Sequence, residues 1–257
     1  MQKQDFTQTD QYHKCQQMFD RWYPNFRYAG QRYGDMIEKV VSPGSTMLDL
    51  GCGRMSLAAN QFRDAKLSVG VDLGLADLEQ NEAVDFTALA DGEALPFVAN
   101  TFDLVISQWA VEHLERPAPV FAEIYRVLKP SGSCILFTTC AYNYVPIVSR
   151  LVGGRIQETL ISHLLRRPDH ESHPTFYRAN TPGKLRELSQ RVGLVNPKVM
   201  SVGSPFYLAF STLLFRLALL FEVMTDTTLM QPLKLYLLFS ASKPNAQTSS
   251  SEARYFP

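Results

Sequence analysis

The stretch Met47-Leu48-Asp49-Leu50-Gly51-Cys52-Gly53 constrains this chain more than any other. It joins residues able to form a buried strand, an acid, and two glycines one residue apart, at a point where a helix can begin. Gly51 and Gly53 carry no side chain, so the backbone can turn sharply and lie against a ligand, with the free N–H groups of the next helix start pointing at it. This is the form of a nucleotide-cofactor turn. A dinucleotide site wants Gly-x-Gly-x-x-Gly, and counted from Gly51 the last position is Ser56, so that fingerprint is incomplete.

Three carboxylates narrow the choice. Asp49 ends the first strand two residues before Gly51, where it can face a cationic amine and would repel a pyrophosphate. Asp72 closes the next strand-like run, Leu67 to Val71, at the spacing where an acid accepts both hydroxyls of a ribose. Asp91 follows a third run, Phe86 to Ala90, and can take an adenine amino group. Acids at three strand ends suit a ligand that carries an amine, a ribose and an adenine and has no phosphate.

On these residues the chain resembles the class I S-adenosylmethionine-dependent methyltransferases of the methyltransferase-11 type. The resemblance runs through Leu48 to Gly53, Gly70-Val71-Asp72, Ala90 to Phe97, Phe102-Asp103-Leu104-Val105, Glu112-His113-Leu114 and Arg126 to Gly132, in the family's order. It implies a Rossmann-like α/β fold, a doubly wound seven-stranded mostly parallel sheet, with S-adenosylmethionine as cofactor. It also implies a cofactor set of Asp49, Gly51, Cys52, Gly53, Asp72, Leu73, Asp91, Gly92, Ser107 and Gln108. Met55 stands where the family has a third glycine, which implies a slightly displaced helix after the turn.

From Thr46 to Thr139 strand and helix patterns alternate, which calls for a parallel sheet with helices on both faces. Strands are predicted at 46–50, 67–72, 86–90, 102–107, 133–139, 195–202 and 234–242. Pro119 to Leu128 has one apolar helical face, stopped by Lys129-Pro130-Ser131-Gly132. Thr181 is a predicted N-cap, with Pro182 in the first turn and Gly193 past the end. Together with the resemblance this implies three segments: an N-terminal helical cap over 1–41, a methyltransferase domain over 42–242 with helical insertions near 144–174 and 204–232, and a disordered tail over 243–257. Within the cap a helix is expected over about Gln31 to Val41, and Tyr28, Arg32 or Tyr33 could touch the methionine carboxylate or the substrate by the same resemblance.

The fourth strand leads into Ser107-Gln108-Trp109-Ala110-Val111-Glu112-His113, which lacks the Asn/Asp-Pro-Pro-Tyr pattern of base-methylating relatives. Trp109 can wall a pocket with Tyr28, Tyr177 and Arg178, and Glu112, His113, His170, His173 and Tyr177 are the candidate bases, with Glu112, His113 and Tyr177 put first. Equal numbers of cationic and anionic side chains, 25 each, give no field to recruit nucleic acid. Four cysteines without paired spacing read as reduced thiols. His170, Glu171 and His173 fall one residue short of His-Glu-x-x-His, so no metal is expected.

The insertions are apolar. Tyr144 to Arg167 reads as a helical pair interrupted at Gly153-Gly154, and Phe206 to Phe221 is apolar almost all round but too short to span a bilayer. That second run is open between a pocket cover, a homodimer interface and a peripheral membrane helix. With no apolar leader behind Met1, a cytoplasmic protein, possible membrane contact included, is the expectation. The pocket character points to methyl transfer onto a small hydrophobic or lipid-like molecule. The alternatives are a catalytically silent S-adenosylmethionine-binding module and, further off, a nicotinamide oxidoreductase.

Overall fold

The computed structural model describes residues 7, 9–152 and 174–245. Seven strands form one sheet in the order β3-β2-β1-β4-β5-β7-β6: β1 Thr46–Leu50, β2 Leu67–Asp72, β3 Phe86–Leu89, β4 Phe102–Gln108, β5 Leu128–Thr139, β6 Val195–Val202 and β7 Tyr236–Ser242. The α-helices are α1 Asp10–Trp22, α2 Ala29–Glu38, α3 Ala59–Phe62, α4 Leu75–Leu78, α5 Pro117–Val127, α6 Tyr144–Val152, α7 Pro182–Arg191 and α8 Thr212–Met224. The doubly wound, mostly parallel seven-stranded sheet read from the sequence is the fold observed.

The chain divides into two compact units. One comprises Gly30–Thr138, Thr175–Met200 and Leu237–Pro257. Its centre is β1, parallel to β2 on one side and to β4 on the other, with Asp49 opposite both Gly70 and Ile106. From β1 the chain steps outward to β2 and β3, then returns to β4 on the other flank, so the strand order switches between β1 and β4. Ligands bind outside the carboxyl ends of strands at such a switch. Leu48, Val105 and Ile106 are buried with no appreciable exposure, as strands covered on both faces require. Helix α5 buries Val120, Phe121, Ile124 and Val127 on one face, each contributing about 1.5–3 kcal/mol relative to exposure. In α7 the Thr181 hydroxyl accepts the Lys184 N–H at 3.2 Å, and Gly193 follows at φ +93°, as the cap pattern requires.

Strand β5 and the start of the tail differ from the sequence-based reading. Strand β5 begins at Leu128 instead of residue 133, because the chain-breaking run does not leave the sheet. It forms a bulge instead: Phe102 pairs with Leu128 and Leu104 with Ser133, and Ser131 takes φ +66°. The bulge is held from the far end of the chain, with the Ser131 N–H donating to Lys243 O at 3.1 Å and the Lys243 N–H to Gly132 O at 2.8 Å. Lys243, read as the first residue of the tail, also donates through Nζ to Asn100 Oδ1, Tyr125 O and Leu128 O, each at 2.8 Å.

The other unit comprises Met1–Ala29, Thr139–Pro174 and Ser201–Tyr236. Its α1 lies within the helical cap expected over 1–41, where the sequence predicts a specific helix only over about Gln31 to Val41. Thr9 caps α1 and Cys15 and Phe19 form its buried stripe, against Ala209, Phe215 and Leu219. Tyr12, Tyr23, Phe26, Tyr28 and Phe206 complete an aromatic cluster, with Phe19–Phe26 centroids 5.0 Å apart and edge to face. Asn143 starts α6, accepting the Val145 N–H at 2.9 Å and donating to Leu233 O at 2.8 Å. No described helix is long and apolar enough to cross a membrane.

A candidate cofactor site at the carboxyl ends of the central strands

The ends of β1, β2, β3 and β4 bring the predicted cofactor residues to one edge of the sheet. The turn after β1 is made by glycines that cannot be replaced cheaply. Gly51 has φ +72°, and a Cβ on it would lie 2.4 Å from Ala110 Cβ. Gly53 has φ +49° and open space around its Cα. The N–H groups of Gly51 and Cys52 both donate to Val71 O, at 2.8 and 3.1 Å, which ties the turn to β2. Cys52 contributes only backbone there. Its side chain is buried, and a Cβ on Gly70 would fall 2.6 Å from its sulfur.

Asp49 is fully buried, and neither carboxylate oxygen has a hydrogen-bond partner of good geometry. Burial pushes its pKa up to about 7; the nearby Ser56 hydroxyl offsets part of this and the Asp72 charge adds to it. A buried acid with two unsatisfied oxygens fits a cation or a hydrogen-bond donor. Tyr33 of α2 is buried beside it, its hydroxyl also unsatisfied and its pKa raised by burial and then by the Asp49 charge. Tyr33 was named from sequence only as one of three possibilities, and the orphaned hydroxyl now distinguishes it. Of the other two, Arg32 lies by Met200, with Nη1 3.8 Å from its sulfur. Tyr28 belongs to the aromatic cluster of the other unit, where Gln16 Nε2 donates to its hydroxyl at 2.6 Å.

Asp72 is half-buried and already organises two turns. One oxygen accepts the Gly53 N–H at 2.8 Å and the other the Gly74 N–H at 2.9 Å. Each oxygen keeps a lone pair for a further donor, which fits a pair of vicinal hydroxyls. Leu73 beside it is 69% exposed. Asp91 is exposed and accepts the Glu93 N–H at 2.9 Å. A Cβ on Gly92 would meet Leu50 at 3.2 Å and Val120 at 3.6 Å, so the backbone approaches the apolar floor closely there. That floor is a small cavity lined by Leu50, Ser107, Ala110, Val111 and Val120. Ser107 is buried, its hydroxyl donating to Leu50 O at 2.7 Å.

Gln108 is a brace. Its Oε1 accepts the Leu57 N–H at 2.8 Å and its Nε2 donates to Met55 O at 2.9 Å. These bonds hold residues 54–57 as a loop, and the helix expected directly after the glycines starts only at Ala59, as the single turn α3. Met55 is 78% exposed.

Beyond β4, Trp109 takes φ +50°, rare for a bulky residue. Its ring packs on Phe137 at 5.3 Å, leaving it 43% exposed at the strand end. Glu112 is not an open base. It is 6% exposed, its carboxylate accepts the Thr138 hydroxyl at 2.5 Å, and Thr138 in turn accepts from Asn180 Nδ2 at 2.6 Å. The Glu112 carbonyl also receives the N–H groups of Phe176 and Tyr177, at 2.8 and 3.1 Å. Arg178 likewise holds the adjoining loop, donating to Glu115 O at 2.8 Å while its guanidinium lies over Phe176. His113 and Tyr177 remain half-buried, Tyr177 at φ +52°. The Thr138–Asn180 pair was missed from sequence, since nothing local marks two residues that meet across the sheet. His170, Glu171 and His173 lie outside the described residues, and no metal-sized cluster of acids, histidines and cysteines occurs among the described ones.

An orphaned acid on β1, a glycine turn that a single Cβ would fill, and a second acid on β2 are what a small cationic nucleoside needs. Residues 48–136, which carry that site, resemble a class I S-adenosylmethionine-dependent methyltransferase domain. They match the methyltransferase-11 family model, described as "Methyltransferase domain". The ubiquinone biosynthesis O-methyltransferase of Hahella chejuensis is 31% identical over 142 residues, 52% of this chain and 58% of that one. The mitochondrial arginine-hydroxylase NDUFAF5 of Danio rerio is 32% identical over 108 residues, 40% of this chain and 34% of that one. The chain thus spans only part of these relatives. A solved S-adenosylmethionine-dependent methyltransferase from Mesorhizobium loti superposes over 84% of this chain and 98% of its own at TM-score 0.56 with 19% identity, which is a likeness of fold. S-adenosylmethionine is the cofactor of the class.

Proposed function

We propose that the protein transfers a methyl group from S-adenosylmethionine to a small hydrophobic or lipid-like acceptor. The observation that carries this is Asp49: a fully buried carboxylate with both oxygens unmet, beside Gly51, which has no room for a side chain. Asp49 would pair with the cofactor's amine, the Asp72 carboxylate would accept the ribose hydroxyls, and Asp91 would take the adenine amine above the Gly92 approach. The backbone at Gly51 and Gly53 lets the ligand lie close. Nothing in this set would compensate a pyrophosphate, and Asp49 and Asp72 would repel one.

When bound, the cofactor supplies a methyl already activated by its positive sulfur, for in-line displacement. The protein's work is then alignment and exclusion of water. Trp109, held on Phe137 and partly exposed, supports an apolar wall at the strand ends. For an acceptor that must lose a proton, His113 is the base we favour, since the Glu112 carboxylate is bonded to Thr138. The apolar composition of the two insertions and the likeness to a ubiquinone-pathway O-methyltransferase both support a hydrophobic acceptor.

The test is incubation of the purified chain with methyl-labelled S-adenosylmethionine and a cell extract, with label counted in organic, aqueous and macromolecular fractions. Label in the organic phase is the expected result. Calorimetric binding of NAD in preference to S-adenosylhomocysteine would overturn the cofactor assignment. Cofactor binding with label in no fraction would overturn the transfer.

A further inference from the structure

Helix α8 is apolar on two opposite sides. Its inner side, with Phe215 and Leu219, closes on Cys15 and Phe19. The outer side presents Leu213, Leu217, Leu220 and Met224, which are 68, 56, 55 and 52% exposed. Those positions recur at i, i+4, i+7 and i+11 and form one stripe, about 16 Å long at 1.5 Å per residue. Single exposed apolar residues are ordinary on a protein surface, but four in line along one helix mark something that covers them.

Charge decides what the cover is. The helix has two ionisable residues, Arg216 and Glu222. Glu222 is turned inward at 2% exposure, its Oε2 3.3 Å from Lys234 Nζ and its Oε1 accepting the Ser204 N–H at 3.0 Å. Arg216 is exposed on the flank of the stripe, one turn from Leu213 on one side and Leu220 on the other. Asp226, just past the helix, is engaged by Lys234 at 2.8 Å and by the Tyr23 hydroxyl at 2.6 Å. The outer side of α8 therefore carries a cation and, among the described residues of the helix, no acid. A second copy docked about a two-fold axis would bring two arginines into an apolar interface that offers them no counter-charge. An anionic lipid surface satisfies both features: leucines enter the acyl boundary while the guanidinium reaches the phosphates.

The same unit carries further exposed apolar residues on α6. Tyr144 meets Phe221 of α8 edge to face at 5.4 Å, and one turn on Ile147 and Val148 are 44 and 51% exposed, followed by exposed Arg150. We propose that the outward stripe of α8, Leu213-Leu217-Leu220-Met224 flanked by Arg216, docks the protein onto an anionic bilayer surface. This does not rest on the methyl-transfer reading, because docking is measured without cofactor or acceptor.

The full chain is sedimented with vesicles of phosphatidylcholine alone and of phosphatidylcholine mixed with phosphatidylglycerol. It is expected to partition onto the mixed vesicles, and added salt weakens the association. Joint Leu217→Asp and Leu220→Asp substitution lowers the partition coefficient by about tenfold or more. Arg216→Gln lowers it about fivefold and removes the preference for anionic lipid. Near-UV circular dichroism checks that each variant is folded; should the double variant fail that check, Arg216→Gln alone decides. Wild-type protein that stays in the supernatant with both vesicles overturns the proposal, as does partition unchanged in the folded variants. A dimer in sedimentation velocity that the leucine substitutions dissolve would assign the stripe to a second copy and equally overturn it.

Discussion

Asp49→Asn is the perturbation that bears most directly on the site. The Asp49 carboxyl ionises at about 7 in the folded protein, about three pH units above the 3.8 of an ordinary aspartate. Between those values the unfolded chain has lost the proton and the folded one keeps it, so folding stability falls as pH rises across the window and levels off above about 7. At about 1.36 kcal/mol per unit the full loss is about 4 kcal/mol, undiscounted because the group has no exposure. Asparagine cannot ionise. Without cofactor, Asp49→Asn should match wild type near pH 4, gain on it through pH 5 and 6, and exceed it by up to about 4 kcal/mol at pH 8. Urea denaturation at each pH measures this difference directly, and other titrating groups cancel between the two proteins. S-adenosylhomocysteine should bind wild type up to tenfold more weakly for each pH unit below about 7, since its amine requires the ionised acid, and should bind Asp49→Asn weakly at every pH. Parallel stability curves across the range would refute the account of Asp49 as an unsatisfied buried acid.

Other expectations concern the neighbouring groups. Asp72→Ala should weaken S-adenosylhomocysteine by about 10- to 100-fold in calorimetry, the worth of one or two charge-assisted hydrogen bonds. It should also lower the Asp49 pKa, because the Asp72 charge helps hold it up. Gly51→Ala places a Cβ 2.4 Å from Ala110 Cβ at a positive φ, and should destabilise by about 1–3 kcal/mol by thermal melting while abolishing measurable cofactor binding. Gln108→Ala removes both bonds to residues 55–57, and should lower stability by about 1–3 kcal/mol and expose the loop to limited proteolysis. Resistance of that loop equal to wild type would mean that Gln108 is not its brace.

Strands β1, β2, β4 and β7 were legible because each is a short, largely apolar run between turn residues, which needs only its own sequence to be recognised. β1 and β2 begin and end at the predicted residues. The acids at the strand ends were legible for the same reason, since in a parallel sheet every strand delivers its carboxyl end to one edge. The bounds of α1 within the helical cap were not, because what stabilises it is the burial of Cys15 and Phe19 against Phe215, about 200 positions away. The bulge of β5 depends on Lys243 in the same way, and Glu112 became a bracket through Thr138 and Asn180.

What the amino-acid order determined alone is the local set: where strands run, where the backbone must turn through Gly51 and Gly53, and which strand ends carry Asp49, Asp72 and Asp91. Those outcomes follow from hydrophobic period and steric freedom, both properties of neighbouring residues. Tertiary structure decided everything that depends on a partner. It left Asp49 without a donor, so that an ordinary acid became a poised one. It also chose which side of the mostly apolar α8 is buried, because periodicity does not rank two apolar faces, and the position of Phe19 and Phe215 turns Leu217 outward.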